Sequence, residues 1–126
     1  METVKVKLAG QEYVVEPLTF KLSKEWRESL GKPIIDLVNV LANADKFQLD
    51  NLADLVELVN LAKGILINSP DLVLDGLCAY SPILANDREI IEEKAYDWEI
   101  FDALLEVLKL AYPFGRLVKM FRSGSG

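Results

Sequence analysis

The chain has 126 residues, of which 51% are hydrophobic and 27% charged, and its 20 acidic and 14 basic side chains give a net charge of −6. This length fits one domain with a substantial core, and the composition is that of a globular protein. Histidine is absent and Cys78 is the single cysteine, which excludes histidine-based catalysis, an internal disulfide and a thiolate metal cage. We therefore expect no catalytic residues, no metal site and no cofactor, in a protein of a reducing cytoplasm without a signal peptide or membrane span.

The charge is distributed unevenly along the chain. Residues 36–106 hold 15 acidic and four basic side chains, whereas residues 107–126 hold four basic side chains and no acidic one. An acidic body does not follow a phosphate backbone and is repelled by anionic lipid. We expect neither nucleic acid nor a membrane as a partner.

The N-terminal segment predicts a β-hairpin over residues 3–16. Residues 4–8 alternate apolar and basic side chains, which is the period of a half-buried strand. Residues 9–12 supply a turn, and residues 13–15 are typical of a return strand. Because an isolated hairpin is only marginally stable, it must pack against the rest of the domain.

The remainder, residues 22–121, predicts helices separated by prolines. We expect Ser23 to cap the first helix and Gly31 to end it in the left-handed conformation. The predicted fold class is α+β, mainly α, with an N-terminal β-hairpin followed by a compact bundle of about five to seven helices in a single domain of residues 1–122. Residues 123–126 have the composition of a flexible tail or an introduced linker. The expected helices cover about 23–30, 34–44, 52–67, 71–80, a segment capped by Asn86 or Asp87, 98–111 and 114–121.

Two predicted helices, 52–67 and 98–111, are apolar around most of their circumference. One interpretation places both at the centre of a small core. The other covers part of their apolar surface with a second protomer or a client chain, as is also possible for the amphipathic segment 114–121. The residues that we expect at such an interface are Leu55, Val59, Leu66, Leu104, Leu108, Phe114 and Phe121.

The residues that could in principle take part in catalysis or ligand binding are better explained by structural roles. Residues 70–71 and 92–94 formally match a metal-dependent nuclease pattern, but both pieces fall in predicted helices, which argues against that chemistry. Cys78 lies in an apolar stretch without an expected basic neighbour, so we expect a structural thiol. We expect Trp26 and Trp98 to be core anchors.

The order of features resembles that of phage tail assembly chaperones. The resemblance is carried by Val4-Lys5-Val6, by Glu16-Pro17-Leu18-Thr19-Phe20 with Trp26-Arg27 after it, and by the run from Leu104 to Gly115. It implies a non-catalytic protein of the host cytoplasm that coats the helical tape measure protein of a long-tailed phage before the tail tube forms. It also implies that this chain is the short form of two and that tail tube protein is a possible further partner. A homo-oligomer is expected separately, from the broad apolar surface of the two helices.

Two other functions remain open from the sequence. One is a homo-oligomeric structural or connector component of a phage or bacterial assembly, which would be retained in the mature particle. The other is a small adaptor that binds one helical partner, for which a neighbouring toxin or repressor gene would argue.

Overall fold

A computed structural model describes residues 3–42 and 52–112 of the protein. These residues form a two-stranded antiparallel hairpin followed by seven helices, which confirms the predicted α+β, mainly α, fold class. The predicted segment 114–121 and the Ser-Gly-Ser-Gly end lie outside the described residues. The elements are β1 (Val4–Leu8), β2 (Gln11–Val15), α1 (Phe20–Glu28), α2 (Lys32–Ala42), α3 (Leu52–Asn68), α4 (Pro70–Tyr80), α5 (Pro82–Asn86), α6 (Arg88–Lys94) and α7 (Asp97–Ala111).

The hairpin has a two-residue turn at Ala9 and Gly10, shorter than the predicted four-residue turn. Both residues have positive φ, 55° and 78°, which is the conformation of the type I′ turn that suits the twist of paired strands. Leu8 therefore pairs with Gln11, and the register continues to Val4 opposite Val15. Burial alternates along both strands as the period of two requires, with one face packed on the helices.

Helix α1 begins earlier than its predicted cap. Thr19, in extended conformation, precedes the first turn, and Ser23 is a buried residue inside the helix whose hydroxyl accepts a hydrogen bond from Arg27 at 2.8 Å. The expected left-handed stop at Gly31 is also wrong, because among the described glycines only Gly10 has a positive φ. Gly31 instead allows a close approach, since a Cβ there would lie 3.1 Å from a methyl group of Leu72.

The later helices follow the predicted segmentation closely. Helix α2 starts one residue before Pro33, and α4 starts at Pro70, positions where proline costs no backbone hydrogen bond. Helix α5 is a short helix that was not predicted. The Ser81 hydroxyl caps its first turn by accepting a hydrogen bond from the Leu84 N–H at 3.4 Å. Within the described ranges, none of the helices combines the length and the apolar character needed to cross a membrane.

One core joins the hairpin to the helices. The buried face of the hairpin packs mainly against α7, and α4 contacts α1, α3, α5 and α7. A hydrogen bond of 2.8 Å from the Tyr13 hydroxyl to the Asp87 carboxylate ties β2 to the junction of α5 and α6. Burial and, secondarily, this carboxylate raise the pKa of Tyr13.

Helix α1 is attached to the bundle by two neighbouring side chains. The Trp26 indole N–H donates to the Gly76 carbonyl at 2.9 Å. The Trp26 ring packs edge-on against the Tyr80 ring, with the ring centroids 4.9 Å apart. The Arg27 guanidinium donates a hydrogen bond to the Ala111 carbonyl at 2.9 Å. Its positive charge also interacts favourably with the negative, C-terminal end of the α7 dipole. Trp26 is thus the core anchor that the sequence predicts.

Candidate protein-interaction surface

Helix α7 contributes one buried face to the hydrophobic core. Leu104 and Leu108 are 0% exposed and belong to the main hydrophobic cluster. Their assignment as interface residues is therefore corrected, because neither side chain reaches the surface of the folded chain. An acidic substitution at Leu104 would bury a charge and unfold the protein instead of testing an interface.

The N-terminal end of α7 does reach the surface. Trp98 is 63% exposed, so its expected role as a core anchor is wrong. Its ring stacks in parallel with that of Tyr96, with centroids 6.2 Å apart. Tyr96 caps the N-terminus of α7, and Trp98 lies in its first turn.

Helix α3 carries an exposed apolar ridge. Val56, Val59 and Ile67 are 48%, 54% and 64% exposed, and Asn60 and Lys63 between them are also exposed. At 100° per residue these five positions fall within about 100° of the helix circumference. We call this set, Val56, Val59, Asn60, Lys63 and Ile67, the α3 ridge.

The ridge faces solvent because the opposite side of α3 packs into the core. Ile65 is 1% exposed on the opposite side of the helix, and α3 packs against α2, α4 and α7. An ordinary surface helix places polar side chains on its solvent face. Apolar side chains at three of five ridge positions are the feature that a partner would explain.

The other expected interface residues are placed as follows. Val59 belongs to the α3 ridge and is 54% exposed. Leu55 and Leu66 belong to α3, and their side chains lie outside the described part of the structure. Phe114 and Phe121 lie outside the described residues. The sequence alone does not separate Val56, Val59 and Ile67 from the other apolar residues of α3, because nearly the whole circumference of this helix is apolar.

Cys78 has the basic neighbour that the sequence did not reveal. Arg88 lies beside it and also donates to Asp75 and to Glu92, the latter at 2.9 Å. Burial raises the pKa of the Cys78 thiol, and the guanidinium offsets that effect only in part. A raised thiol pKa is the opposite of what a nucleophile needs.

The acidic side chains do not converge on a cation site in the described part of the chain. No group of three or more Asp, Glu or Cys residues is placed there to hold a metal ion. The two pieces of the nuclease pattern, residues 70–71 and 92–94, lie at the start of α4 and the end of α6.

The chain matches no protein-family model, no curated protein and no solved structure.

Proposed function

We propose that the protein is a non-catalytic tail assembly chaperone that binds a helical segment of a tape measure protein through the α3 ridge. The observation that carries the proposal is the exposure of Val56, Val59 and Ile67 along one face of α3. The resemblance of residues 4–27 and 104–115 to such chaperones supports the choice of client. In this proposal tail tube protein and further copies of the chain are additional partners in the host cytoplasm.

The ridge suits a helix better than an extended peptide. From Val56 to Ile67 it spans about 16 Å along the helix axis, roughly three turns. A client helix with apolar residues every three or four positions can pack its ridge along these side chains. Lys63 lies among them, so we expect an acidic client residue nearby.

The charge of the protein fits the same role. A client with an apolar stripe aggregates when the stripe is exposed to water. Covering the stripe with a protein of net charge −6 gives a complex whose copies repel one another. The complex is then expected to stay soluble until tail assembly.

The proposal requires a tape measure gene near the gene of this chain, and the test is co-expression of the two proteins. We expect the wild-type chain to keep the client in the soluble fraction. With the V56D/V59D variant, the amount of soluble client should fall at least tenfold. The matched control is I83D/I90D, which places the same two charges at exposed apolar positions on α5 and α6. Circular dichroism of each purified variant verifies that it is folded.

Two outcomes would overturn the proposal. One is a soluble client yield with V56D/V59D equal to that of the wild type. The other is a wild-type chain that forms oligomers through the ridge and remains in mature particles, which would favour the structural component. Sedimentation of the chain alone and immunoblotting of purified particles distinguish these cases.

A further inference from the structure

We infer that the free edge of β1, together with the first half of α7, binds an extended segment of a partner polypeptide that carries acidic residues at alternate positions. This site is separate from the α3 ridge, and the inference does not depend on the proposed function. The structural basis is a groove of about 180 Å³ lined by Lys5, Val6, Lys7, Trp98, Glu99, Asp102, Ala103 and Glu106.

The groove runs along the edge of β1. Side chains of consecutive strand residues point to opposite faces, and Lys5 and Lys7 are exposed while Val6 is buried. Three consecutive residues can line one groove only if it follows the edge of the strand. Among the described residues the sheet contains only β1 and β2, so this edge carries no further strand there.

The backbone groups at this edge belong to Lys5 and Lys7. In a hairpin with a two-residue turn, the pair beside the turn, here Leu8 and Gln11, is hydrogen-bonded, and hydrogen-bonded pairs then alternate along the ladder. Lys5 and Lys7 therefore direct their N–H and C=O groups away from β2. These groups are the donors and acceptors to which an added strand binds.

The lysines select the charge of the added strand. Opposite charges on directly facing strand residues stabilise a pair, and like charges destabilise it. Glu12 lies 3.8 Å from Lys5 in an exposed ion pair and faces Lys7 in the strand register, so the two lysines share one carboxylate and keep a net positive charge. Acidic residues at alternate positions of the partner would face Lys5 and Lys7.

The same lysines disfavour a second copy of β1 at this edge. Antiparallel pairing of two β1 strands, centred on either Lys5 or Val6, places lysine opposite lysine. Lysines on an edge strand are a common protection against such pairing. A heterologous acidic segment is therefore favoured over self-association.

The α7 wall defines the intervening positions of the partner. Asp102 and Glu106 line that wall, so a carboxylate directed toward α7 would be repelled. Val6 and Ala103 are buried residues at the groove, and Trp98 offers an exposed ring at its rim. Uncharged apolar side chains fit the positions between the acidic ones.

The test uses two fluorescein-labelled peptides, Ser-Glu-Val-Glu-Val-Ser and its counterpart Ser-Lys-Val-Lys-Val-Ser, in fluorescence polarisation with the full chain. We expect the acidic peptide to bind at least about tenfold more tightly, an effect of two facing charge pairs. The K5E/K7E variant should reverse this preference. The matched control K21E/K24E makes the same charge change at two exposed positions of α1 and should retain the preference.

Trp98 reports the location of binding. It is largely exposed whereas Trp26 is buried, so acrylamide quenching of the fluorescence comes mainly from Trp98 and should fall when the groove is occupied. Unchanged quenching on peptide binding, or equal loss of binding in K21E/K24E and K5E/K7E, would overturn the inference. A wild-type dimer in sedimentation that K5E/K7E abolishes would overturn it as well, because the occupant would then be a second copy. Retained peptide binding by V56D/V59D is expected, and it separates this site from the client surface.

Discussion

Helices α3 and α7 are alike in sequence and opposite in role. Both are long and apolar around most of their circumference. Helix α7 packs against β1, α3 and α4 and buries one face that includes Leu104 and Leu108, whereas α3 leaves Val56, Val59 and Ile67 exposed. A domain of this size has limited depth, so it covers the apolar side of one such helix and leaves part of the other exposed. Apolar composition alone therefore does not tell a buried helix from a partly exposed one, because the position in the fold decides how much of the apolar surface is covered.

The largest expected effect is at the centre of α7. Leu104→Ala should lower the free energy of unfolding by about 3 kcal/mol, because it leaves a cavity in a fully buried site. Urea denaturation followed by circular dichroism measures this loss. A loss below about 1 kcal/mol would contradict the placement of Leu104 at the centre of the core.

The two tryptophans repeat the comparison at the level of single side chains. Trp26→Phe should cost about 1–3 kcal/mol, since it removes the hydrogen bond to the Gly76 carbonyl and part of a buried ring. Trp98→Phe should change the stability by less than about 0.5 kcal/mol, because its ring is mostly exposed. Thermal and urea unfolding of the two variants are measured side by side, so that each variant serves as the control for the other. Equal losses would contradict the difference in burial.

Alkaline pH should weaken the attachment of the hairpin. The pKa of Tyr13 is raised in the folded state by burial and by Asp87, so its contribution to stability is complete below pH 10 and is lost as the pH rises through the folded-state pKa. The Tyr13→Phe variant should lose about 1 kcal/mol at neutral pH and show a shallower decline above pH 10. Urea titrations between pH 7 and 11 test both effects. Burial also raises the pKa of Tyr80 and Tyr112, so part of the decline should remain.

The smallest effect is expected on the α3 ridge. Val59→Ala should change the free energy of unfolding by less than about 0.5 kcal/mol, because the side chain is already half exposed. Urea denaturation beside Leu104→Ala gives the contrast directly. A loss above about 1.5 kcal/mol would show that Val59 is covered in the isolated chain and would remove it from the client surface.

Local features of the sequence predict most of the elements. The alternation in residues 4–8 and the left-handed tolerance of Gly10 specify the hairpin, and Pro70 marks the start of a helix. The start of α1 was missed because Thr19 follows Pro17 closely and Ser23 has an equally favourable capping side chain. Helix α5 was missed because five residues are too few for a visible period.

The candidate surface could be predicted only in part. Val59 was identified, but Leu104 and Leu108 were chosen by the same criterion and are buried. Nothing local distinguishes these residues, because burial depends on contacts between α7 and β1 that are about 100 residues apart in the chain. The exposure of Trp98 was missed for the same reason, since an aromatic residue is more often buried than exposed.

The packing of β1 against α7 has a consequence for biosynthesis. The hairpin leaves the ribosome before the helices, and the helix that covers its apolar face comes last among the described elements. That face stays exposed while the roughly 90 residues between β1 and α7 are made, which takes several seconds at typical elongation rates of roughly 5–20 residues per second. The core is therefore expected to form completely only after α7 has emerged and packed against β1.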